Sequence, residues 1–104
     1  MNQYAHIIPL DNGVSIPIQC IPNTGQIIIE ISDDLILQNI KYLLLPGDRK
    51  IPIIRDETKI KDVPSGEFFA YLIDNKLELK CQNQGNVNAL LNKRTGDRLI
   101  LLFD

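Results

Sequence analysis

Alternating apolar and polar positions, the period of a strand, run through most of the chain and are most regular from Glu67 to Gln82. With Asp74 and Asn75 as a two-residue turn, Leu72 faces Leu77, Ala70 faces Leu79 and Phe68 faces Cys81, so one side of this hairpin is apolar at every pair. The other side sets Phe69, Tyr71 and Ile73 against Lys80, Glu78 and Lys76, leaving the first strand apolar on both faces. A strand of that kind belongs inside a fold, and the rest of the chain is expected to form shorter strands around it.

Before this hairpin, Asn12-Gly13 predicts a turn that places Ile7 opposite Ile18, Pro9 opposite Ile16 and Ala5 opposite Cys20. Pro9 and Pro17 cannot donate to a ladder, which predicts a peripheral hairpin at an edge or a bulge. The turn Pro22-Asn23-Thr24-Gly25 leads into a half-buried strand over 26–32, with Ile27, Ile29 and Ile31 on one side. Between 33 and 45, a helix capped by Asp33 or Asp34 competes with a strand ending at Leu43 to Leu45. The preferred reading is a short helical turn near Leu35 to Asn39, followed by a hairpin across 46–50. Lys50 to Arg55, interrupted by Pro52, reads as another edge strand, and Asp56 to Lys61 as a charged connection.

After Cys81, a turn at Arg94-Thr95-Gly96 predicts a third hairpin in which Leu91 faces Leu99, Ala89 faces Leu101 and Val87 faces Phe103. A helix capped by Asn86 is the competing reading of 87–93. Arg98 to Phe103 is apolar on both faces and is expected near the middle of a sheet.

The run Val63-Pro64-Ser65-Gly66-Glu67-Phe68-Phe69-Ala70-Tyr71 is similar to the turn-to-strand corner of immunoglobulin-like and prealbumin-like sandwiches. The likeness is local and names no family, and the cysteine and tryptophan arrangement of antibody domains is missing. Together with many isoleucines and few alanines, these patterns predict one all-β domain over 1–104: a two-sheet sandwich of seven to nine short antiparallel strands, with one short helix within 33–45. A small closed barrel is the alternative.

Charge changes the picture mainly by exclusion. A net charge of -2 gives no field that would collect a polyanion, so nucleic acid is an unfavoured partner. No apolar run approaches the length of a membrane span, and the start of the sequence does not read as a signal peptide, so a cytoplasmic protein is expected. Cys20 and Cys81 each lie in an apolar strand pattern, as buried reduced thiols would. His6, the single histidine, has no ligand-spaced neighbour, and Asp33-Asp34 with Glu30 does not match the alternating oxygens of a calcium loop. No catalytic residue, cofactor or metal site is predicted.

Two basic groups remain: Arg49, Lys50 and Arg55 around the middle hairpin, and Lys93, Arg94 and Arg98 around the last one. They form the candidate interaction surface, suited to an acidic protein patch, since aromatic rings for stacking nucleic-acid bases do not flank them. The expected function is a non-enzymatic protein-binding or assembly module of a soluble complex, presenting strand edges and hairpin tips. A homodimer through the strand 26–32 is one form of that expectation. The alternatives are a small nucleic-acid-binding barrel and an enzyme whose site is assembled from scattered polar residues.

Overall fold

In the computed structural model, which describes residues 7–104, strands dominate and form one curled, nine-stranded sheet shaped as a half-barrel. They are β1 (Ile8–Leu10), β2 (Gly13–Pro17), β3 (Gln19–Cys20), β4 (Ile27–Glu30), β5 (Tyr42–Leu45), β6 (Arg49–Ile54), β7 (Phe68–Ile73), β8 (Lys76–Cys81) and β9 (Arg98–Leu102). Neighbours follow the order β1-β2-β9-β5-β6-β7-β8-β4-β3, antiparallel throughout except for the parallel pair β6–β7. The expected all-β class holds.

Two stretches carry the sheet around its bend, and a proline stands at each. Arg49 to Pro52 of β6 pairs with β5, after which Ile53 and Ile54 pair with Ala70 and Tyr71 of β7. The Ile53 amide still donates to the Lys41 carbonyl, so by the alternation of a ladder the donor that Pro52 lacks would have pointed toward β7, where pairing has not begun. β2 and β3 are separated by Ile18 alone, yet β2 pairs with β9 and β3 with β4. There the Ile18 amide donates to Asp97, and the missing donor of Pro17 points away from β9. β6 is therefore no edge strand, contrary to expectation, because Pro52 sits where the strand changes partner.

The central hairpin has the predicted register, with Phe68 opposite Cys81, Ala70 opposite Leu79 and Leu72 opposite Leu77, and Asp74 in the left-handed conformation at its turn. Leu77, Leu79 and Ala70 pack with Ile27, Ile29 and Ile31 from the β4 segment and with Leu43, Leu101 and Ile16 from the other half of the sheet. Asp33 caps α1 (Asp34–Asn39), its carboxylate accepting from the Leu35 and Ile36 amides, as one of the two readings anticipated. The hairpin over 46–50 then joins β5 to β6.

Two hairpin expectations are corrected. The first hairpin turns at Asp11-Asn12, so that Leu10 pairs with Gly13 and Pro9 with Val14. Gly13 is used for close approach: a Cβ there would lie 2.1 Å from the Leu101 carbonyl oxygen, so the residue that looked like a turn glycine is a sheet glycine. Ala5 and His6 lie outside the described residues. The third hairpin does not form, because β2 and β5 already occupy both sides of β9. Residues 87–91 instead form α2 (Val87–Leu91), capped by Asn86, whose side chain accepts from the Ala89 amide. The charged connection coils into a 3-10 helix, Glu57–Asp62, capped by Asp56. β4 pairs with β8 along its length and with β3 only at Ile27 and Ile28, so Ile29 and Glu30 have a partner strand on one side alone.

Candidate interaction face

Cross-strand partners share a face, so the registers of β1, β2, β9, β5 and β6 can be read across the sheet. The inward rows run Val14, Leu101, Leu43, Ile51 and, beside them, Ile16 with Leu99, all buried. The outward rows run Ile8, Ser15, Ile100, Leu44, Lys50 and Leu10, Gly13, Leu102, Tyr42, Pro52. An outer face that should be polar is thus built largely from apolar side chains. Ile8 is 48% exposed, Leu10 41% and Tyr42 36%, with Leu44 and Ile100 half-buried between them. These residues share the outer face of β1, β9 and β5, on which Leu102 is buried, at 7% exposed.

Lys50 and Arg98 stand on this same face. The Lys50 ammonium lies 5.3 Å from the centroid of the Tyr42 ring and donates to the Asp104 backbone oxygen at 3.4 Å. Arg98 donates from Nε to the Ser15 hydroxyl at 2.8 Å and from Nη2 to the Ser15 carbonyl at 2.7 Å, which fixes its guanidinium against the sheet. The other four predicted cations are elsewhere. Arg49 pairs with Leu45 on the inward side and covers the end of the core, its guanidinium 5.6 Å from the Phe68 ring centroid. Arg55 closes the end of α1 by donating from Nη2 to the Leu37 and Ile40 carbonyls, at 2.8 and 2.9 Å. Lys93 and Arg94 lie in the turn before β9, where their amides donate to the Asn88 and Asp97 side chains. Sequence spacing grouped six cations; the fold puts two of them beside the apolar face and gives Arg55 a capping role.

A groove marks the outer face of the other half of the sheet. It encloses about 630 Å³, with Phe69 and Tyr71 on its floor, Glu57 and Ile60 on one wall and the 82–87 segment with Gln26 on the other. Its polar groups are largely engaged with one another: Gln26 Nε2 donates to Glu78 at 2.5 Å, and Lys80 lies 3.6 Å from the other Glu78 oxygen. Burial first, then the carboxylates of Glu57 and Asp56, push the Tyr71 hydroxyl above its ordinary pKa, so it stays protonated as a donor. Phe69 itself is only 2% exposed.

Both cysteines are free. Cys81 is buried, and burial followed by the Asp97 charge raises the pKa of the half-buried Cys20, which holds its thiol protonated. Among the described residues there is no group of three or more His, Cys, Asp or Glu side chains that could hold a metal ion, and no helix is long and apolar enough to cross a membrane. The chain matches no known family model, and no curated protein matches it. The outer faces themselves are what remains to be read.

Proposed function

We propose that this protein is a non-enzymatic binding module of a soluble, cytoplasmic complex, and that it receives a protein partner on the outer face of β1–β2–β9–β5. The observation that carries this reading is the row of exposed and half-exposed side chains Ile8, Leu10, Tyr42, Leu44 and Ile100 on one side of a paired sheet. An aromatic residue beside fixed cations is the composition of an interface centre rather than of an ordinary solvated strand face. In architectural terms the same reading treats the two halves of the curled sheet as the layers of a sandwich, and the apolar outer face as a place where a further layer belongs.

A photo-reactive side chain placed at Leu10 or Leu44 should cross-link to a discrete protein in extracts of the native host, while one at Lys61, in the 3-10 helix, should not. Equal labelling at all three positions, or none at Leu10 and Leu44, would remove this face from consideration.

A further inference from the structure

We infer that the groove over β7 and β8 takes an arginine side chain of a peptide segment, its guanidinium on Tyr71 between the Glu57 carboxylate and the side-chain amides of Asn83 and Gln84. This goes beyond the partner face proposed above and does not depend on it, because the groove lies on the outer face of the other half of the sheet. The sign of the ligand's charge follows from the lining. Three ionised side chains line the groove, Glu57, Glu78 and Lys80, and only one of them is unanswered. Glu78 accepts from Gln26 Nε2 on one oxygen and has Lys80 3.6 Å from the other. Asp56, beside the groove, accepts from the Thr58 amide and hydroxyl, at 3.0 and 2.8 Å, with the Lys59 charge also favouring its ionised form. Glu57 has neither a cation nor a hydrogen-bond donor paired with it among the described residues, and its charge falls on the Tyr71 hydroxyl. The groove thus carries one uncompensated negative charge, which selects against an anion and for a single cation.

The shape of the lining favours arginine over lysine. Tyr71 is half-buried and is the ring on the floor that a ligand can reach, Phe69 being covered. On the wall facing Glu57, Asn83 and Gln84 are exposed, and their side-chain amides make no hydrogen bond within the described chain. A guanidinium can lie flat on an aromatic ring while its edge donates to acceptors on two sides, which the point charge of an ammonium cannot do. At about 630 Å³ the groove has room for the side chain together with flanking backbone, so the occupant is a peptide and not a lone ion.

Titration of the isotope-labelled full chain with Ac-Gly-Arg-Gly-amide tests this, with the lysine and citrulline tripeptides as twins; citrulline keeps the shape of arginine and lacks its charge. The arginine peptide should bind in roughly the millimolar range and shift the resonances of Glu57, Tyr71 and Gln84. The lysine twin should bind about threefold more weakly, and the citrulline twin about tenfold more weakly or not at all. Glu57→Gln should weaken the arginine peptide about three- to fivefold, while Lys50→Gln, on the other outer face, should leave it unchanged. Tyr71→Leu, which removes the ring, should erase the preference for arginine over lysine. Absence of shifts at these residues overturns the inference, as does a lysine or citrulline twin that binds equally well, or an affinity unaltered by Glu57→Gln. So does maltose, a neutral disaccharide, if it shifts the same resonances where the arginine peptide does not, or amidated arginine alone if it binds as tightly as the tripeptide. Cross-linking from Leu10 and Leu44 reads the opposite half of the sheet, so the partner face and the arginine groove stand or fall separately.

Discussion

β7 and β9 are written alike and finished differently. Each is apolar on both faces and each lies between two other strands, β9 between β2 and β5, β7 between β6 and β8. On β7 the outward Phe69 is almost completely covered, because the 3-10 helix and the 82–87 segment rise on either side of it. Gln82 clips that cover in place by donating from Nε2 to the Ile60 and Val63 carbonyls, at 2.7 and 3.1 Å. On β9 the outward Leu102 is buried while Ile100 and the neighbouring Leu44 are half-buried, and Tyr42 beside them is 36% exposed. Two-sided apolarity thus tells that a strand is interior to a sheet, and leaves open whether the chain itself supplies the second cover.

Truncations on covered and exposed surfaces should separate most widely. Leu79→Ala, in the shared core, should lower stability by about 2–5 kcal/mol, and Phe69→Ala, on the covered outer face of β7, by about 3–5 kcal/mol. Leu10→Ser, on the apolar outer face, should change it by no more than about 0.5 kcal/mol. Denaturant midpoints at constant slope measure all three. If Phe69→Ala proved as mild as Leu10→Ser, the cover over β7 would not be a packed one and the contrast would collapse.

Next in size is Gly13→Ala. The added methyl group would press on the Leu101 carbonyl, which belongs to the sheet backbone and cannot swing aside, so a loss of about 1–3 kcal/mol is expected from overpacking. The same substitution at Gly47, where nothing lies within reach of a Cβ, meets only the strain of a left-handed backbone, φ 85°. A harmless Gly13→Ala would mean that β2 does not approach β9 as closely as the register requires.

How much of this was legible follows from what each signal depends on. The central hairpin was readable to the residue because Asp74-Asn75 and the alternation on both flanks specify a single register. The first hairpin was misread because Asn12-Gly13 is a strong turn signal taken alone, while the demand on Gly13 comes from β9, far along the chain. Residues 87–91 were ambiguous by pattern, and the neighbours of β9 decided them. The prolines told that donors were missing, without telling that β6 and the β2–β3 stretch change partners there. The apolar outer face was hidden for the same reason: Ile8, Leu10, Tyr42, Leu44 and Ile100 sit on three separate strands, and only the strand order brings them together. Charge spacing pointed at Lys50 and Arg98, but also at Arg55, whose work is to close α1.

The smallest expected effect is a pH response confined to the covered side. Asp56 caps the 3-10 helix, and its pKa is lowered first by the hydrogen bond from the Thr58 hydroxyl, then by the Thr58 amide. A carboxylate whose folded pKa lies below its unfolded value contributes stability that is fully present above the unfolded value and is lost as pH falls through the folded one. The window is therefore acidic, beginning near the ordinary aspartate value of 3.8 and extending below it. Because the group is exposed, the effect should be seen locally rather than in the global unfolding midpoint. Amide exchange at Ile60 and Val63, compared between the natural chain and Asp56→Ala, should differ at neutral pH and converge as the pH drops through that window. Exchange at Leu44 and Ile100, on the apolar outer face, should be the same in both proteins throughout. A difference at Ile60 that persists undiminished into acid, or one that spreads to Ile100, would show that the cover over β7 does not depend on the ionised cap.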